Sequence, residues 1–288
     1  MSYVIIGDSC TDLTEELKNR PNIFSAPLTL EIEGKTIIDD ETFDQLSFIE
    51  TVKNSKDYPK SACPSPEAFM KHFDKADEVY VITLSGALSG SYGSAVLARN
   101  LYLEDHPDAK IHVFDSCSAS VGQTLIVMKI IECKEAGKSF EETVEIAEKY
   151  RERKQTRFIL DTLETFRKNG RINNLAFLVI STLNIKPIMM GTVEGKIDRL
   201  DQARGTNKSI KLMAEHIAKE MKEAAASSDP ADHPENRILG ISHCNAPDRA
   251  ELAKNAITAL VHFKDIIVVN MGGVSTTYAN DGGIIVAY

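Results

Sequence analysis

At 288 residues, 43% of them hydrophobic, the chain is long enough for two ordinary domains and apolar enough to fill their cores, which excludes a disordered polypeptide. A formal net charge of -9 excludes a surface that tracks nucleic-acid phosphates, whose affinity needs clustered Lys and Arg, and favours small ligands or protein partners. No run approaches the roughly 18–20 apolar residues of a membrane span, "MSYVIIGDSC" lacks the parts of a secretion signal, and five Cys without C-x-x-C spacing suit neither a disulfide framework nor a zinc site; the sequence reads as a cytoplasmic protein with reduced thiols and no transmembrane segment.

Short apolar runs recur along the chain: "YVIIG" from Tyr3, "VYVITL" from Val79, "IHVF" from Ile111, "RFIL" from Arg157, "RILGIS" from Arg237, "IIVVN" from Ile266 and the closing "IIVAY". Between most of them the apolar residues follow helical period, over Ala87–Leu103, Ala119–Ala136, Phe140–Arg153, Asn207–Ala226 and Asp248–Phe263. Alternation of this kind predicts an α/β class with largely parallel sheets. A domain boundary is expected near 153–158, where the charged "EKYRERKQTR" ends a helix, giving units 1–155 and 156–288. In the second unit "KPIMMGTVEGKIDRLDQAR" alternates around Glu194-Gly195 and predicts a β-hairpin, and "SSDPADHPENR" reads as a polar surface loop.

Ligands of parallel sheets collect at the carboxyl ends of strands, where "GDSCTDL", "TLSGALSGSYGSA" and "FDSCSAS" fall. Ser9, Thr11, Ser116 and Ser118 read first as helix caps. The stretch from Thr83 to Ala95 holds too little side chain to pack deeply; its hydroxyls and amides, with a helix dipole behind them, suit an anion. Ser61 in "SACPSPEAF", Ser89 with the amides of Gly90 and Ser91, and Arg171 and Arg204, each beside a Gly, are the candidate groups. A nucleophile elbow, a phosphate loop and a dinucleotide fingerprint are all missing, and Asp8, Asp12 and Asp115 read as solvated or capping carboxylates before ion ligands.

Eight stretches in register, "DSCTDL", "SACPSPEAF", "ITLSGALSGSYGSA", "VFDSCSASVGQ", "ILDTLETFRKNGRIN", "LNIKPI", "ARGTNKS" and "GGVSTTYANDGG", resemble the DegV family of bacterial lipid-binding proteins. The resemblance implies two α/β domains enclosing a long-chain fatty acid, with the carboxylate near the domain junction and no catalysis by the chain itself. It places Ser89 at the family's carboxylate-binding serine and Ser61 at its threonine, with Gly90 and Ser91 adding amides. A kinase partner that phosphorylates the bound acid is implied too, with Arg171 and Arg204 near the mouth. Charge-assisted bonds would each contribute roughly 1.5–3 kcal/mol, against a gross term on the order of 10 kcal/mol from burying an acyl chain of about sixteen carbons.

The closing motif departs from the family pattern T-H-x-G-P-G, because Tyr278 stands where the histidine is usual. Tyrosine can donate to a carboxylate but cannot become cationic near neutral pH, which weakens the kinase-dependent reading relative to lipid binding. The stretch from Asn174 to Ile185 is apolar enough either to line the acyl tunnel or to form a core helix. The rival enzyme reading is a hydrolase of a small acyl or phosphate ester at the same cleft, acting through Ser89 or Asp8; a lipid-responsive regulatory module is a second rival.

Overall fold

The structure is a computed structural model that describes residues 2–172 and 184–288; the stretch from Asn174 to Ile185 lies, except for its last two residues, outside them. The first sheet has the order β2-β1-β6-β7, formed by β1 (Tyr3–Asp8), β2 (Ile23–Ala26), β6 (Glu78–Thr83) and β7 (Lys110–Asp115), and every pair in it is parallel. Its central strand β6 is buried at all six residues, as a strand covered on both faces must be. Phe69 and Phe73, with Ala95 and Ala98 of α4 (Ser91–Asp105), pack on one face, and α5 (Val121–Glu135) and α6 (Phe140–Arg153) cover the other. Helix α6 is fixed at its start by a capping box between Ser139 and Glu142.

A small antiparallel sheet, β4-β3-β5, joins β3 (Thr29–Ile32), β4 (Lys35–Ile38) and β5 (Lys60–Ala62). It sets Ser61 opposite Leu30. The largest sheet has the order β10-β9-β8-β13-β11-β12, from β8 (Thr156–Ile159), β9 (Ile185–Gly191), β10 (Ile197–Arg204), β11 (Ile238–His243), β12 (Asp265–Asn270) and β13 (Ile284–Ala287). Among the described residues only β11 and β12 pair in parallel there; the other pairs are antiparallel. The α/β class holds, while the parallel character expected of both sheets is complete in the first and limited to the β11–β12 pair in the large one. Strands buried on both faces carry the same continuous apolar runs whichever way their neighbours point, so composition could not tell the two apart.

The hairpin expected around Glu194-Gly195 is the β9–β10 pair. Gly195 occupies the left-handed region at φ 74°, and its carbonyl accepts from the buried Ser85 hydroxyl at 2.8 Å, so the turn is tied to the loop after β6. On the outer face of the large sheet, Ile159, Ile188, Ile241, Ile284 and Val286 pack against α8 (Thr206–Ala224) and α9 (Pro247–Thr258). The alternate residues Phe158, Leu160 and Ile285 point the other way, as the period of two requires.

Helix α5 lies between the two sheets. Ile126, Val127 and Ile130 pack with the first, while Val121 and Leu125 pack with Val269 and Ala287 of the large sheet. A helix with two apolar sides needs a cover on each, and its remaining face carries the surface pair Lys129–Glu132.

Candidate functional site

The loops after β1, β6 and β7 face the inner side of the large sheet across a cavity of about 780 Å³, part of it continuous with solvent. That is the carboxyl end of the parallel sheet, where such folds leave a crevice. Among the described residues the walls are mainly apolar: Leu84 and Leu88 from the first sheet's loops, Phe158, Leu160 and Ile285 from the large sheet, and Phe166 of α7 (Glu164–Lys168). The lining suits a hydrophobic molecule with few polar groups.

Four of the candidate residues meet at this cavity: Ser61, Ser89, Arg171 and Tyr278. The hydroxyls of Ser61 and Tyr278 are 3.0 Å apart although 217 positions separate them in sequence, and the Tyr278 ring packs against Phe166 with centroids 4.8 Å apart. Arg171 donates through Nε to the Leu88 carbonyl at 3.2 Å and through Nη1 to the Asn169 carbonyl, which holds its guanidinium beside the Ser-Gly loop. Ser89 Oγ accepts from the Ser91 amide at 3.2 Å, leaving its own hydrogen free to be given to an anion.

The other three candidates stand differently. Gly90 caps α4 at the loop, outside the cavity lining, and its amide has no protein acceptor among the described residues. The Ser91 hydroxyl is buried and turned inward, donating to Asp8 Oδ2 at 2.5 Å, so only its amide serves the loop. Arg204 is exposed at the far end of β10. Ile197 at the near end lines the cavity, and seven strand steps of about 3.3 Å put Arg204 roughly 23 Å along the strand from it. Arg204 therefore stands outside the cavity lining among the described residues; lying beside a Gly said nothing about which end of a hairpin strand the Arg would occupy.

Beneath the loops sit three buried carboxylates whose role the sequence did not disclose. Asp8 accepts from the Leu84 amide at 2.7 Å, from Ser91 Oγ, and from Gln123 Nε2 at 2.8 Å. Asp39 accepts from the Gly273 and Val274 amides at 2.6 and 2.9 Å, at the start of α10 (Gly273–Ala279), and from Ser9 Oγ at 2.8 Å. Asp12 accepts from the Gly272 amide at 2.7 Å and from Ser120 Oγ. Asp8 thus shapes the loop that carries Ser89, while Asp39 and Asp12 hold the helix that carries Tyr278.

Burial pushes all three carboxyls upward, Asp12 to about 7, against the lowering effect of the donors they accept from. No cluster able to hold a metal ion occurs among the described residues; Asp8 and Asp12 organise backbone amides, and Asp115 accepts from the Gly86 and Cys117 amides. Ser9 and Thr11 do not cap the first helix, which is capped by Thr14; Ser9 bonds Asp39, and Thr11 accepts from Gln123 Nε2. The Ser116 hydroxyl bonds the amide and carbonyl of Ser118 within their turn, the Ser118 hydroxyl shares a hydrogen bond with Thr156 Oγ1 at 2.7 Å, and Ser120, at φ 57°, precedes α5 without capping it.

No His, Asp or Glu lines the cavity among the described residues, and none of the described helices is long and apolar enough to cross a membrane. What the arrangement offers is a hydroxyl and guanidinium pole on an apolar chamber.

The chain is 33% identical to a DegV domain-containing protein of Streptococcus pneumoniae, an alignment covering all of this chain and 99% of the relative. The crystal structure of a DegV family protein from Ruminococcus gnavus, refined with vaccenic acid, superposes with a TM-score of 0.91 at 41% identity, over 100% of this chain and 99% of that one. The fatty acid kinase B3 protein of S. pneumoniae, loaded with linoleic acid, superposes with a TM-score of 0.88 at 31% identity and the same coverage. The family model described as "Uncharacterised protein, DegV family" matches residues 2–288, and the chain belongs to the DegV family.

Proposed function

We propose that this protein binds a long-chain fatty acid, with the carboxylate at the pole formed by Ser61, Ser89, Arg171 and Tyr278 and the acyl chain in the apolar chamber. The observation that carries the reading is one mainly apolar cavity, walled by Leu84, Leu88, Phe158, Leu160, Phe166 and Ile285, into which Ser61, Tyr278, Ser89 and Arg171 all open, the first two in direct contact. Vaccenic and linoleic acid in the two related structures support the ligand class. Affinity comes mainly from the chain, at about 0.8 kcal/mol per buried methylene, and orientation from the pole.

The Gly90 amide adds a further donor at the loop, and the Ser91 amide acts through Ser89. Arg204 has no part in this ligand set. Binding without catalysis fits the lining, since the hydrolase alternative requires a general base on Ser89, and among the described residues no His, Asp or Glu lines the cavity and Lys196, which does, makes no hydrogen bond to Ser89. Presentation of the carboxylate to a fatty acid kinase is the finer role, supported by the name of the pneumococcal relative. In that role Arg171 offers the positive charge that Tyr278 cannot.

The test is native mass spectrometry of the purified protein, then organic extraction, delipidation and reloading with oleic acid. A bound mass equal to a long-chain fatty acid, regained at one equivalent on reloading, is expected. A protein that stays empty through both steps would remove the reading.

A further inference from the structure

The inner face of the large sheet has one position without a side chain. Strand β9 presents Met189 and Gly191 to that face: Met189 is buried in one cluster with Phe158 and Leu160, while Gly191 pairs with Ile197 of β10 and lies beside Thr156 of β8. Ile197, Thr156 and Gly191 itself all line the cavity.

The backbone does not require glycine at 191. The residue is not among the left-handed positions of the chain, and a Cβ there would meet Thr156 Cβ at 3.6 Å and the Cys117 carbonyl at 3.9 Å, both ordinary van der Waals contacts. Glycine inside a strand forfeits packing and leaves the unfolded chain freer, and it is found where something else approaches the backbone closely. Gly195, four residues on, makes the contrast. It sits at φ 74°, and a Cβ on it would come 2.2 Å from Ser85 Oγ, so turn geometry and contact both demand it. At Gly191 neither does, and what the missing side chain provides is space in the cavity.

That space lies at the end remote from the carboxylate pole. The inward residues of β8 and its extension run Thr156, Phe158, Leu160, and α7 follows Leu160 after three residues, bringing Phe166 against Tyr278. Four strand steps of about 3.3 Å put Thr156 roughly 13 Å from Leu160. Beside Thr156 the floor is completed by Ser118, whose hydroxyl bonds Thr156 Oγ1 at 2.7 Å, both residues being buried. A chain anchored at Ser61 and Tyr278 therefore brings its tail, not its head, to Gly191.

We propose that Gly191 determines the acyl-chain length this protein accepts, the last carbons of a long chain occupying the place of its missing side chain. The inference rests on the proposed fatty-acid function and adds to it the residue that sets the upper length.

The test is calorimetric titration of dodecanoic and hexadecanoic acids into the delipidated full chain, for wild type, Gly191→Ala and Gly191→Val. Each methylene displaced from the cavity costs about fourfold in affinity. Hexadecanoic acid should therefore bind about fourfold more weakly to Gly191→Ala and at least about tenfold more weakly to Gly191→Val, while dodecanoic acid, too short to reach the floor, stays within about twofold in both. Gly191→Ala keeps the test decisive if valine disturbs the sheet, because its Cβ fits at ordinary contact distance. An unchanged ratio of the two affinities in the variants, whether both acids bind as before or both weaken alike, overturns the inference and leaves the proposed function standing. Failure of the wild type to bind either acid removes the function, and this inference with it.

Discussion

Around the loops that follow the parallel sheet, the cavity is shaped by hydrogen bonds to buried carboxylates; across from them, the mixed sheet shapes it by alternation alone. Asp8, Asp12 and Asp39 each receive at least one backbone amide and one hydroxyl, which leaves the loops little freedom of direction. Phe158, Leu160 and Ile285 need only the period of two to face inward. The first wall places a few polar atoms precisely and stakes stability on it. The second supplies apolar area that tolerates exchange of one hydrophobe for another.

The strongest challenge to that contrast is to fill the chamber. Ala119 lines it from the loop after β7, so Ala119→Phe should cut fatty-acid affinity by more than a hundredfold, as the space of several methylenes at about 0.8 kcal/mol each is lost. Calorimetric titration checks this, with a thermal melt to show that the fold persists; retained affinity would mean that the acyl chain lies elsewhere. Next comes the pole. Ser61→Ala together with Ser89→Ala should weaken binding about ten- to a hundredfold while leaving the preference for chain length unaltered, because each charge-assisted bond contributes roughly 1.5–3 kcal/mol and shares the carboxylate with Arg171.

The buried carboxylates make their own prediction. The folded-state value of Asp12, about 7, lies above the ordinary carboxyl range near 4 of an unfolded chain. Between those values the native state holds a proton that the unfolded state has released, so this group's contribution to stability falls as pH rises from about 4 to 7 and levels off above. Asp12→Asn, which keeps an acceptor for the Gly272 amide, should flatten that decline. Melting temperatures of wild type and variant from pH 4 to 8 check it; parallel curves would remove Asp12 as the source. The smallest effect belongs to Tyr278→Phe, which removes only the hydroxyl facing Ser61 and should cost about three- to tenfold in affinity. Tyr278→His restores the residue usual in the family and should make binding tighten as pH falls through about 6.5; a pH-independent affinity would separate position 278 from the carboxylate.

How much of this was visible beforehand follows the same division. Alternating apolar runs and turn residues marked most of the elements, and the long helices appear within a few residues of their expected bounds, α6 without change. Ser61, Ser89 and Arg171 stood out by their turn surroundings and Tyr278 only through motif register, and nothing local to Ser61 says that a tyrosine 217 positions away will meet it. The roles of Asp8, Asp12 and Asp39 were not legible, since an Asp at a strand end looks the same whether it caps its own turn or reaches amides of a distant helix. Arg204 marks the limit of local reading: a place beside a Gly did not say that strand length would carry it away from the cavity lining of the described residues.

Helix α5 has a consequence for how the molecule comes apart. Its two apolar sides are covered by different sheets, so a fragment ending at residue 155 would leave Val121 and Leu125 without Val269 and Ala287. Such a fragment would carry a sticky stripe down an otherwise native helix and self-associate. In the whole chain the same helix makes melting of one half expose the other, so the two sheets are lost in a single cooperative transition, and amides of α5 should be among the last to exchange with deuterium.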